Sequence, residues 1–217
     1  MIKAILFDFD GVLFDTETYD NKLLRDYLIS IHSPIPGERM KLLICSDKTK
    51  DIFDDVIAGY EDQVDKESFK KGLIADISEK RKHLPFADLV FEDTERCVKW
   101  MKEQGYSIAC ASSSSLDYVQ RGLKEGKVAQ YFDLMVSGDD FTRSKPDPDI
   151  YLYCADKLQV KPEECLVVED SPNGIASGKA AGMHVVVRRD HFLGLNQEGG
   201  DDYIDTFDEL PAILKRL

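Results

Sequence analysis

The sequence predicts an α/β fold: a doubly wound parallel sheet with helices on its faces and an all-helical insertion after the first strand. Three observations point there. Short apolar runs rich in β-branched residues recur along the chain, helical patterns of several turns separate them, and the alternation breaks only once, over residues 17–84.

Ile2 to Phe7 is the first strand candidate, and Tyr106 to Ser112, Leu134 to Ser137, Cys165 to Glu169 and His184 to Arg188 follow it. Runs this short and this apolar suit strands covered on both sides. Between them, Glu92 to Gln104 carries Cys97, Val98, Trp100 and Met101 on one side and stops at Gly105, a usual C-terminal stop signal. Leu116 to Gly126 is the next helix, after a run of serines. Asp147-Pro148 reads as an N-cap and first-turn proline, with Ile150, Tyr151, Cys154, Ala155 and Leu158 at helical spacing. Ser171-Pro172 repeats that start, and Gly182 closes the helix it opens. The stretch Asp190 to Asp202, with Gly194, Gly199 and Gly200, reads as a mobile surface loop.

Residues 17–84 contain no strand pattern. Helical patterns cover Thr18 to Ile31, Thr49 to Ala58 and Lys66 to Arg81, joined by the turn Pro34-Ile35-Pro36-Gly37. The expected division is therefore residues 1–16 with 85–217 as an α/β core, and 17–84 as a helical cap. A cap hung over the active strand end by two connections is suited to act as a lid.

Composition narrows the function. The chain has 217 residues, 43% hydrophobic and 32% charged, with a formal net charge of −13. Such a surface repels polyanions, so neither a nucleic acid nor an acidic membrane is an expected partner. Five scattered cysteines without a C-x-x-C pair read as reduced thiols of a cytoplasmic protein. His32, His83, His184 and His191 show no metal-ligand spacing. No signal peptide fits, because Asp8 and Asp10 interrupt the early apolar run, and no segment approaches the ~18 apolar residues of a membrane span.

The most informative stretch is Asp8-Phe9-Asp10-Gly11-Val12-Leu13-Phe14-Asp15-Thr16. If Ile2 to Phe7 is a buried strand, alternation puts Asp8 and Asp10 on one side and Phe9 on the other. Open α/β sheets bind ligands at that strand end. Two aspartates there invite a divalent cation, and one can attack a phosphoryl group while the other moves a proton. Read alone, the pair is also compatible with an ordinary acidic turn.

Three more segments end at the same edge of the inferred sheet. Ala109 to Ser115 runs from a strand into a serine-rich helix start, where a hydroxyl at Ser112, its neighbour Ser113 and free N–H groups can hold phosphate oxygens. Read alone, a serine there is a plain N-cap. Ser144-Lys145-Pro146-Asp147-Pro148 holds Lys145 extended before a proline, so its ammonium can reach the acids and a phosphate. Val167-Val168-Glu169-Asp170-Ser171 ends an apolar strand with two acids, which is costly unless they meet a cation or a lysine. Asp170 is the candidate that completes a Mg²⁺ site with Asp8 and the Asp10 main-chain carbonyl, since hard oxygen ligands suit that ion.

With these four segments in order, the sequence resembles the haloacid dehalogenase superfamily, in its β-phosphoglucomutase-like group with a helical cap. D-F-D-G-V-L-F-D-T at Asp8, A-S-S-S at Ser112, K-P-D-P at Lys145 and E-D-S-P-N-G-I at Glu169 carry the likeness. The resemblance implies a Rossmann-type core, Asp8 as nucleophile forming an aspartyl-phosphate, and Asp10 as general acid and base. It implies phosphate binding by Ser112, Ser113 and Lys145, and Mg²⁺ held by Asp8, Asp10 and Asp170, with Glu169 in or just outside that shell. Metal-free dehalogenases of the superfamily lack an acid at the position of Asp10, which argues against dehalogenation.

Departures lie in the cap. Asp20 stands where mutases of the group have a histidine, and their glycine-and-arginine loop has only Cys45 to Lys50 as a counterpart. Lys48 and Lys50 read first as solvated helix-start charges, with substrate contact as the alternative, and Lys80-Arg81-Lys82 reads as complementing a helix C-terminus. The resulting expectation is a monomeric, cytoplasmic, Mg²⁺-dependent phosphatase of a small phosphorylated metabolite. A sugar phosphomutase and a non-catalytic phosphate-binding protein are the alternatives.

Overall fold

The computed structural model describes residues 1–44 and 52–217. They form two compact units, Met1–Asp15 with Phe86–Leu217, and Thr16–Pro85.

The first unit is built on strands β1 (Ala4–Phe7), β2 (Ser107–Ser112), β3 (Leu134–Ser137), β4 (Cys165–Glu169), β5 (His184–Arg188) and β6 (Asp202–Ile204). Their spatial order is β3-β2-β1-β4-β5-β6, and every pairing is parallel. Chain order runs outward in both directions from β1, so the switch point falls between β1 and β4. Every residue of β1 and β4 is buried, as expected for strands with helices on both faces.

The helices, in chain order, are α1 (Thr16–Ser30), α2 (Phe53–Ile57), α3 (Lys66–Arg81), α4 (Phe86–Leu89), α5 (Thr94–Glu103), α6 (Leu116–Glu125), α7 (Asp149–Lys157), α8 (Pro172–Ala180) and α9 (Leu210–Leu214). On one sheet face Ala4, Leu6, Ala109, Val167 and Val185 pack with Ile150, Tyr151, Cys154 and Ile175 of α7 and α8. On the other, Phe7 meets Phe207 edge-on at 5.7 Å and Phe132 at 6.3 Å. α8 starts as its sequence suggests, with the Ser171 hydroxyl accepting from the Gly174 N–H at 3.1 Å ahead of Pro172. α7 starts one residue later than expected. Its N-cap is Pro148, which has no side-chain acceptor to offer, and the Asp147 carboxylate faces Arg143 at 3.2 Å.

Asp202, which the sequence places at the end of a loop, opens a sixth strand instead. The preceding loop carries its own hydrogen-bond framework. The Asp190 carboxylate accepts from the N–H groups of Phe192, Leu193, Gly194 and Leu195 at 2.6–3.0 Å. β6 escapes sequence reading because it is three residues long and has acids on both sides.

The helical unit has a core of its own: Leu24, Tyr27 and Leu28 of α1, Met40, Val56 and Ile57, and Phe69 and Leu73 of α3. A 3₁₀ segment at Gly37–Leu43 follows the Pro-Ile-Pro-Gly turn. Of the helix expected over Thr49 to Ala58, Phe53–Ile57 is helical, and its start lies outside the described residues.

Candidate active site

Parallel register assembles the first part of the site. Phe7 pairs with Cys110 on one side and Val168 on the other, so Asp8, Ala111 and Glu169 lie level at the carboxyl ends of three adjacent strands. The Asp8 N–H continues the ladder by donating to the Val168 carbonyl at 2.9 Å. Gly11 then turns the chain at φ 73°, a left-handed conformation that favours glycine, and its N–H donates to the Phe14 carbonyl at 2.8 Å.

Lys145 enters among these ends, buried, beside a cis Lys145-Pro146 bond. Its ammonium donates to Asp8 Oδ1 at 2.6 Å, Glu169 Oε1 at 2.6 Å and the Ala111 carbonyl at 3.0 Å. Three acceptors satisfy its three protons. Burial opposes the ammonium, but Asp8 and Glu169 outweigh burial and raise the lysine pKa well above its ordinary value. The lysine is therefore a fixed positive charge. Tyr151 completes this part, donating its hydroxyl to Glu169 Oε1 at 2.7 Å with its ring 4.8 Å from the Lys145 nitrogen.

Glu169 is fully buried and its carboxylate is saturated from both ends. Oε2 accepts from the N–H groups of Asp170 and Ser171 and from the Ser171 hydroxyl at 3.1–3.3 Å. The fit is tight: a Cβ on Gly174 would stand 1.9 Å from the Glu169 carboxyl.

Asp8, Glu169 and Asp170 each offer a carboxylate oxygen, and these oxygens lie within 4.8 Å of one another, all buried. Burial raises the Asp8 carboxyl well above the usual range; Lys145 opposes the shift, while Glu169 and Asp10 add to it. Three buried carboxylates beside a single ammonium form a set of hard oxygen donors, and that chemistry fits a cation such as Mg²⁺.

Asp10 is engaged differently. The Ser114 hydroxyl donates to Asp10 Oδ2 at 2.8 Å and the Tyr118 hydroxyl to Oδ1 at 3.2 Å. Ser112 is buried, and its hydroxyl accepts from the Ser114 N–H at 3.0 Å. It is not the cap of α6; Ser115 holds that position. Ser113 lies half-buried just past the end of β2, with Gly138 so close that a Cβ there would come within 3.0 Å of the Ser113 Cα. The acids, Ser112 and Lys145 thus meet at one end of the sheet, with Ser113 next in the chain.

Other candidates fall elsewhere. His184 binds Asp202 at 2.7 Å and His191 binds Asp205 at 2.8 Å, both carboxylate partners outside the acidic cluster. Cys97, Cys110, Cys154 and Cys165 are free, buried thiols, and Cys45, Lys48 and Lys50 lie outside the described residues. The basic run in the helical unit forms side-chain pairs: Lys80 with Asp76, Lys82 with Glu79, and Arg81 with Asp20 through Nε at 3.0 Å and through Nη2. Asp20 is thus matched by an arginine 61 residues away in the same unit.

Sequence reading missed Tyr151, Ser114, Tyr118 and Gln197. In the sequence Tyr151 reads as part of the apolar stripe of its helix. Ser114 lies ahead of the α6 cap and Tyr118 in the first turn of that helix, so no helical spacing links the two in the sequence. Gln197 donates to the main-chain carbonyls of Asp170 at 2.7 Å and Arg188 at 2.8 Å, and nothing local in the sequence signals that.

Among known proteins, a sequence profile described as haloacid dehalogenase-like hydrolase matches residues 5–188. A phosphorylated carbohydrates phosphatase of Thermotoga maritima is 30% identical, covering 88% of this chain and 87% of its own. A phosphoglycolate phosphatase of Nitrosococcus oceani is 24% identical over 99% of this chain and 97% of its own. The crystal structure of β-phosphoglucomutase from Clostridium difficile superposes with a TM-score of 0.75 at 20% identity, covering 100% of this chain and 97% of that one, a likeness of fold.

Proposed function

The chain belongs to the haloacid dehalogenase-like hydrolase family, and on that footing we propose that it is a Mg²⁺-dependent phosphatase of a small phosphorylated metabolite, acting through an aspartyl-phosphate on Asp8. The observation that carries this reading is the Asp8 carboxylate, held at 2.6 Å by a buried lysine at the carboxyl edge of a parallel sheet. An acid tied to an ammonium beside two further carboxylates is expensive to keep for stability alone.

In the proposed reaction an Asp8 oxygen attacks phosphorus and the bond to the leaving oxygen breaks, while Asp10 gives that oxygen its proton. Water then attacks the aspartyl-phosphate, Asp10 takes the water's proton, and inorganic phosphate departs with Asp8 restored. Lys145, Ser112 and Ser113 bind the phosphoryl oxygens and balance their charge. Asp8 and Asp170, with the Asp10 main-chain carbonyl, would hold Mg²⁺. Glu169, whose oxygens are taken by protein donors, holds Lys145 instead. When bound, the ion supplies the positive charge that lets one anion approach another.

Among the described residues no helix is long and apolar enough to cross a membrane. With a net charge of −13, the reading extends to a cytoplasmic monomer whose partner is its small substrate rather than a nucleic acid or membrane.

The test is phosphate release from a panel of sugar, nucleotide and short-acid monoesters, with and without Mg²⁺. We expect Mg²⁺-dependent release from several esters, with no need for a sugar bisphosphate. Saturating Mg²⁺ should also stabilise the fold, by about 2.7 kcal/mol at 100 times its Kd, and Asp170→Ala should blunt both effects. Rapid bisphosphate-primed isomerisation of a sugar phosphate with little free phosphate would replace the phosphatase by a mutase. No turnover of any ester would leave a binding protein.

A further inference from the structure

We infer that Ser114 and Tyr118 are positioning residues for Asp10, fixing its carboxylate so that proton transfer to the leaving oxygen is aimed; the inference rests on the reading of Asp10 as the acid and base. Both Asp10 oxygens accept from α6 and the residues before it, Oδ2 from Ser114 at 2.8 Å and Oδ1 from Tyr118 at 3.2 Å. With one donor on each oxygen, these two hydroxyls fix the plane in which the carboxylate lies.

Each donor is itself held. Ser114 gives its N–H to the Ser112 hydroxyl at 3.0 Å, and its carbonyl accepts from the Ser137 hydroxyl at 2.8 Å. The Tyr118 ring stands edge-on to Phe86 at 5.0 Å and to Phe9 at 5.6 Å. Phe9 directly precedes Asp10, so the same aromatic cluster locates the tyrosine and the backbone it serves. One turn further along α6, a Cβ on Gly122 would stand 2.3 Å from the tip of Phe9, so glycine lets the helix lie against that ring. The hydroxyls are thus built into the unit by packing, and a misplacement of about 1 Å in such a group can cost ~100-fold in rate.

The test uses two esters, an alkyl phosphate whose leaving oxygen needs a proton and p-nitrophenyl phosphate, whose leaving group departs without one. kcat/KM reports the steps through aspartyl-phosphate formation. Tyr118→Phe removes one oxygen and keeps the ring; Ser114→Ala removes the other donor. Each should lower kcat/KM for the alkyl ester about tenfold, and by about fivefold more than for the nitrophenyl ester, roughly the worth of one hydrogen bond. Asp10→Asn, measured alongside, should show the same discrimination more strongly. Equal losses on both esters, or no loss, in both variants would overturn the inference and assign these hydroxyls to packing. If Asp10→Asn itself fails to discriminate, the acid and base reading of Asp10 falls and takes the inference with it.

Discussion

Each unit buries an aspartate against a basic side chain, and the two pairs are built differently. In the helical unit, Asp20 of α1 meets Arg81 at the end of α3, with the arginine side chain 45% exposed. In the α/β unit, Asp8 meets Lys145 with the lysine side chain 5% exposed and a second acid, Glu169, on the same ammonium at 2.6 Å. The first is an ion pair whose cation keeps its access to water, as expected of a contact that fastens two helices. The second places charge in a dry setting, where its field on a bound anion is strong and its own desolvation is costly. On the proposed reading, that arrangement acts on a bound phosphoryl group.

Breaking the second pair should therefore have the largest effect. Lys145→Met should lower kcat/KM about a thousandfold or more, as the loss of a buried charge aimed at a reacting group does. A Lys145→Met protein with turnover within tenfold of the unchanged chain would place the two pairs on an equal footing. Next comes the frame. Gly174→Ala drives a Cβ against the Glu169 carboxyl at 1.9 Å and should cost about 2–3 kcal/mol in denaturant unfolding. It should also weaken turnover, because Glu169 holds Lys145. An unchanged midpoint would mean that Glu169 moves aside easily.

The smallest effect is expected in the helical unit. Arg81→Met leaves Asp20 buried without its guanidinium partner, and since the arginine is half-exposed the cost should be about 1 kcal/mol. Hydrogen exchange should locate the loss in α1 and α3. A loss above about 3 kcal/mol would make this a buried pair of the Asp8 kind.

What the sequence reveals follows the same division. Five strands and the acidic strand ends are legible because each is a local pattern: an apolar run, then acids or serines where the run stops. Parallel register does the rest, since residues that end neighbouring strands meet without any further signal. Long-range contacts to residues that no local pattern marks stay hidden. Gln197 reaches Asp170 over 27 residues, Ser114 reaches Asp10 over 104 and Arg81 reaches Asp20 over 61. Tyr151 hides for another reason: an aromatic at helical spacing reads as core, and it is core along its ring while its hydroxyl binds Glu169. β6 hides because three residues carry too little alternation to stand out.

The central claim is that Asp8 carries the phosphoryl group. Acid quenching of the protein during turnover with Mg²⁺ and a good substrate, followed by peptide mass spectrometry, tests it directly. A phosphoryl group on the peptide bearing Asp8, absent from Asp8→Asn, which should itself be inactive, is the result predicted. A phosphoryl group on another residue, or an Asp8→Asn protein that still turns over at more than a few per cent, would contradict it.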